Sequence, residues 1–92
     1  MGEKNMMKKL EKAVAELEKR TSTKMRVCDY DDMQGGVPSM SDGYRYALWL
    51  YSVTDRNGKS VAVNCGNGRV IGIFTTQAEA YDCINSGMFD NL

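Results

Sequence analysis

Residues 44–74 read YRYALWLYSVTDRNGKSVAVNCGNGRVIGIF, and this stretch decides the fold. Asn57-Gly58 and Asn67-Gly68 punctuate runs rich in β-branched and aromatic residues at 44–54, 60–65 and 69–74. Asn-Gly is the pair that best tolerates the positive φ needed at both central positions of a type I′ turn. The pattern predicts three consecutive antiparallel strands joined by two-residue hairpins.

Tight turns fix register, so cross-strand neighbours follow. Across the first turn, Thr54 opposes Val61, Ser52 opposes Val63 and Leu50 opposes Cys65. Across the second, Cys65 opposes Val70, Val63 opposes Gly72 and Val61 opposes Phe74. Opposed residues share a face. One face then carries Tyr46, Leu48, Leu50, Val61, Val63, Cys65, Val70 and Phe74, with Gly72 among them. The other carries Ala47, Trp49, Tyr51, Val53, Ala62, Ile71 and Ile73. A sheet with one solvated face alternates apolar and polar residues, and this one does not. The second face therefore calls for a cover: a helix, a second copy or a partner. Gly72 marks the first face as the helix side, since a missing side chain admits close approach of another backbone. An indole at Trp49 sealed beneath the N-terminal helix would remove the spare surface.

Working outward, Met6, Leu10, Ala13, Val14 and Leu17 recur at helical spacing, with Lys and Glu opposite. A helix over about 4–20 follows, packing one narrow stripe on the core, because its polar side mixes both signs. Residues 24–30 read as a fourth strand at the sheet edge, where Lys24 and Arg26 discourage further pairing. Residues 31–42 hold Gly35-Gly36, Pro38 and several acids, and form a long contact loop. Thr76 with Glu79 makes a capping box, and Ala80, Tyr81, Ile84 and Met88 mark the buried stripe of a second helix over about 77–86. Gly87 follows it as the C′ residue, and 88–92 form a tail. The fold class is α+β: N-terminal helix, three- to four-stranded antiparallel meander, C-terminal helix, in a single domain over 1–92.

The chain has 92 residues, enough for one modest core without staples. Twelve basic and 12 acidic side chains cancel, so bulk charge gives no argument for nucleic acid. The balance is uneven: residues 1–26 hold eight basic and four acidic side chains, residues 27–55 one basic and five acidic. Three cysteines outside any CxxC spacing read as reduced thiols in a cytoplasm, with Cys65 and Cys83 as small buried hydrophobes. No apolar run approaches the roughly 20 residues of a membrane span.

The chain contains no histidine, which removes the commonest general base, zinc ligand and partner for a nucleophilic cysteine. No catalytic, metal or cofactor site is read, and the protein is not an enzyme on this reading. Asp29, Asp31 and Asp32 lack the spacing of a calcium loop and read as a solvated acidic segment able to pair with a partner's Arg or Lys. Gly66–Arg69 lacks the Walker lysine and lies between strands, so it is a turn and no phosphate cradle.

Arg45, Arg56, Lys59 and Arg69, with Trp49 and Tyr51, offer phosphate contacts and stacking on the sheet. In layout this is similar to the three-stranded-sheet-plus-helix DNA readers of phage integrases. The helix over Met6–Leu17, the Asn-Gly strands and the capped Thr76 helix also resemble, in size and outline, the small phage-encoded anti-CRISPR-type inhibitors. That resemblance implies a cytoplasmic, non-enzymatic protein that blocks a host protein or nucleoprotein complex by occlusion. The residues suited to contact are Arg45, Trp49, Tyr51 and Arg69 as anchors, with Asp31 and Asp32 as rim charges. The alternatives are a nucleic-acid-binding module on the same sheet and a structural homodimer packed through Trp49.

Overall fold

The computed structural model describes residues 2–29 and 45–91. Helix α1 spans Gly2–Thr21, β1 Thr23–Asp29, β2 Tyr46–Thr54, β3 Ser60–Ala62, β4 Arg69–Phe74 and α2 Gln77–Asn85. The architecture is α+β, with a four-stranded antiparallel sheet between two helices in sequence. The contact loop at 31–42 lies outside the described residues.

Both helices pack on one side of the sheet. Leu10, Ala13, Val14 and Leu17 of α1 and Ala80 and Ile84 of α2 form one cluster with Met25, Tyr46, Leu48, Leu50 and Phe74. Leu10, Leu17, Leu48 and Ile84 are fully enclosed, each worth about 1.5–3 kcal/mol of burial. Ser22, at φ 55°, turns the chain from α1 into β1. The Thr21 hydroxyl donates to the Leu17 carbonyl at 2.7 Å, satisfying one of the last helical acceptors.

Strand β1 is the edge strand the sequence predicts, pairing antiparallel with β2 from Thr23↔Val53 to Asp29↔Tyr46. Its outer side is guarded: a Glu18 carboxylate oxygen accepts from the Met25 N–H at 2.9 Å, and Lys24 and Arg26 are exposed.

The other side of β2 corrects the expected meander. The antiparallel strands form, but β4 pairs with β2 and not with β3. Ser52, Val53 and Thr54 face Ala62, Val61 and Ser60. Tyr46, Ala47 and Leu48 face Phe74, Ile73 and Gly72. Strands β3 and β4 thus run in the same direction along β2, as two halves of one interrupted strand. Residues 63–68 are looped out between them. Asn64 (φ 53°) and Cys65 (φ 55°) take left-handed conformations, and the Gly68 N–H returns to the Val63 carbonyl at 3.0 Å. The Asn64 amide donates to the Gly68 carbonyl at 3.3 Å. The physical reason is backbone satisfaction. A β3–β4 hairpin would leave the first half of β2 without a partner on this side, and the observed path pairs both halves.

The first Asn-Gly does close a hairpin, in a register one residue from the expected one. Thr54 opposes Ser60, not Val61. Asp55 decides this. Its Oδ1 accepts from the Asn57 and Lys59 N–H groups, both at 2.9 Å. Its carbonyl accepts from Gly58 at 2.9 Å, and its N–H donates to Lys59 at 2.8 Å. Only Gly58 of the pair has positive φ, at 78°. This is a type I turn followed by a left-handed glycine, which needs a three-residue loop.

Face assignments change with the register. Tyr51 and Ile71 are left unpaired at irregularities in β2 and β4. Val53 and Ile71 consequently pack against the helix-side cluster. Val70 moves to the opposite face, beside Trp49. Cys65 is exposed in the looped-out turn and not a buried hydrophobe, while Cys83 is half-buried.

At the C-terminus, Thr76 caps α2 by accepting from Glu79 N–H at 3.0 Å. Glu79 reaches back to the Thr75 N–H at 3.0 Å, one residue before the position a standard box uses. Gly87, at φ 89°, then reverses the chain. Met88 is 62% exposed, not part of the buried stripe, and Phe89 enters the core instead, at 5%. Its ring meets Phe74 edge-on, with centroids 6.3 Å apart.

A candidate binding face on the sheet

Alternation along β2 sends Leu48 and Leu50 to the helices and Ala47, Trp49 and Tyr51 to the opposite face. Trp49 is half-buried and lies outside the cluster that α1 joins. Trp49 and Tyr51 stack on each other, with centroids 6.2 Å apart and planes 15° from parallel. Arg26 of β1 and Val70 of β4 flank Trp49 across the ladders. Ala47, fully buried, lies between Cys28 and Ile73. The face is therefore an apolar band with an aromatic pair along β2 and cations, Lys24 and Arg26, on the β1 side.

Local geometry fixes the aromatic pair. Gly68 has φ 80°, and a Cβ there would meet Tyr51 Cδ1 at 2.7 Å and Leu50 O at 3.2 Å. The phenol ring thus rests on a bare backbone, which holds it beside the indole. The Trp49 Nε1 is shielded and has no acceptor among the described residues. A buried donor left unpaired costs about 1–3 kcal/mol, so the indole N–H is a local strain on this face.

The other sequence-selected residues are dispersed. Arg45 sits at the start of β2, its Nε 3.4 Å from Asp29 Oδ1 and its guanidinium 5.8 Å from the Tyr46 ring centroid. Arg69 is exposed opposite Leu50, so its register position belongs to the helix side and not to the Trp49 side. Asp31 and Asp32 lie outside the described residues. The structure brings Trp49 and Tyr51 together, and it adds Arg26, which the sequence reading treated only as an edge charge. The signal for Arg26 was its alternation with Met25 and Val27.

A groove of about 420 Å³ also runs between α1 and β1, past Met7, Glu11, Val14, Glu18 and Met25. One of its carboxylates, Glu18, is engaged by the β1 backbone. No group of three or more His, Cys, Asp or Glu able to hold a metal occurs among the described residues. No described helix is long and apolar enough to cross a membrane.

Compared with protein-family models, curated proteins and solved structures, the chain matches none.

Proposed function

We propose that this is a non-enzymatic, cytoplasmic binding protein that acts by occlusion, docking its Trp49–Tyr51 face on a host protein or nucleoprotein complex. The anti-CRISPR-type inhibitors it resembles in outline give the class of target. The observation that carries the reading is the stacked aromatic pair on the sheet face away from both helices. Rigid aromatics next to an arginine are the residue types that dominate interface energies. Trp49 and Tyr51 are the anchors, Arg26 a flanking cation, and Arg45, just before β2, a more distant peripheral contact.

The test is capture from host lysate with wild-type protein and with a Trp49→Ala/Tyr51→Ala variant whose circular dichroism is unchanged. Loss of two anchors weakens a specific complex by about 2 kcal/mol or more, roughly 30-fold. Capture that is absent, or equal for both proteins, rejects the reading.

Lys24 and Arg26 beside the stack favour one second reading, a single-stranded nucleic-acid surface. Stacking on aromatics with backbone cations is how such surfaces work. Affinity for an oligonucleotide that falls steeply and log-linearly with salt would select it, and salt-independent or absent binding would remove it.

A further inference from the structure

The two edges of the sheet are treated differently. The β1 edge is blocked by the Glu18 carboxylate on the Met25 N–H and flanked by Lys24 and Arg26. Among the described residues the β4 edge is less guarded: Ile71 sits at an irregularity and Glu79 holds the Thr75 N–H just beyond the strand, but no carboxylate accepts from an N–H within β4. Strand β4 pairs only with β2 among the described residues, so its outer side has no strand partner. Its sequence, Arg69–Phe74, carries no charge after Arg69 and no proline. Val70, Ile71, Gly72 and Ile73 line a shallow hollow of about 310 Å³ along it. Farther along the same line of chain, Val61 of β3 is 46% exposed. An apolar, uncharged edge of this kind is a template for another strand.

We infer that the β4 edge pairs antiparallel with β4 of a second copy, giving a two-fold dimer with one sheet continuous across both chains. Charge complementarity selects a second copy over an unrelated strand. With Gly72 near the two-fold axis, Arg69 of one copy lies opposite Thr75 of the other. The Thr75 N–H and hydroxyl are held by the Glu79 carboxylate at 3.0 and 3.3 Å. Each Arg69 thus meets a Glu79 carboxylate, and the symmetry makes the pair occur twice. A two-fold axis perpendicular to the sheet keeps like faces on the same side. Both Trp49–Tyr51 stacks then lie on one surface, with Val70 and Ile73 of the two copies at its centre and all four helices behind. This dimer differs from one packed through the Trp49 faces, which it leaves uncovered. It stands independently of the proposed target.

Sedimentation equilibrium from low micromolar concentration to about 1 mM, the weak end of specific association, tests it together with amide hydrogen exchange. The expected result is a monomer–dimer equilibrium in which amides within 70–74 exchange more slowly as concentration rises, the Thr75 N–H staying on Glu79. Charge reversal by Arg69→Glu, at an exposed site, weakens the dimer about tenfold, because two attractive contacts become repulsive. The R69E/E79K double variant recovers most of that loss. A single-chain mass at every concentration overturns the inference. So does a dimer whose concentration-dependent protection lies outside β4, or whose affinity R69E leaves unchanged. A monomer whose β4 amides slow only on adding a synthetic valine–threonine strand peptide also overturns it, in favour of strand capture.

Discussion

Replacing Gly72 with alanine separates two opposing effects whose sizes can be worked out. Gly72 lies in β4 with no positive φ, so alanine fits the backbone. In the unfolded chain alanine has fewer conformations to lose, which stabilises by about 0.4–1 kcal/mol. Against that, the new methyl would stand 2.8 Å from Phe74 Cζ and 2.9 Å from Phe89 Cζ. Real carbon contacts do not approach so closely, so both rings must shift. They meet edge-on and are 4% and 5% exposed, with the core behind them. Overpacking of this kind costs about 1–3 kcal/mol. The steric term wins, and Gly72→Ala should destabilise by about 1–2 kcal/mol, lowering the melting temperature by roughly 5–15 °C. Urea and thermal unfolding measure it. The cause is isolated by repeating the change in a Phe89→Leu background, where one of the two rings is gone and the penalty should fall by about half. A Gly72→Ala protein as stable as wild type, or more stable, would refute the claim that these rings fill the space above the glycine.

Asp55→Ala removes the acceptor of two turn N–H groups and should lower stability by about 1 kcal/mol in thermal melts, with Asp55→Asn intermediate. Cys65→Asn places a residue that tolerates left-handed backbone at φ 55°, and should leave stability unchanged or raise it by up to about 1 kcal/mol. Gly68→Ala meets both positive φ and the Tyr51 ring, so it should destabilise by about 2 kcal/mol and change the near-ultraviolet dichroism of the Trp49–Tyr51 pair. The Arg20–Asp90 pair is 3.2 Å long with both side chains 41% exposed, so Arg20→Ala should cost under about 1 kcal/mol, less at high salt.

How much of this was legible in the sequence depends on whether the signal was local. The helices were: the Leu10–Leu17 stripe and the Thr76–Glu79 cap depend on neighbours three or four residues away, and both are found where that spacing puts them. The Leu48/Trp49 alternation was also legible, because period two needs only the strand itself. Register was not, because a two-residue motif does not fix a turn alone. Asp55, two residues before Asn57, supplies a side-chain acceptor that favours the three-residue loop over the type I′ hairpin. The partner of β4 was still less legible. Asn67-Gly68 looks the same in a hairpin and in a looped-out strand, and what separates them is the length of β2. Nine residues from Tyr46 to Thr54 have backbone groups to satisfy on each side, and β3 covers only three of them. Strand β4 must therefore return to β2. That frees the outer edge of β4, places Val70 and Ile73 beside the Trp49 stack, and moves Arg69 off that face. Of the residues selected by type, Trp49 and Tyr51 are brought together as a stacked pair. The cation beside them is Arg26 and not Arg69, because a side chain's face follows register and register was set by a distant strand's unmet hydrogen bonds.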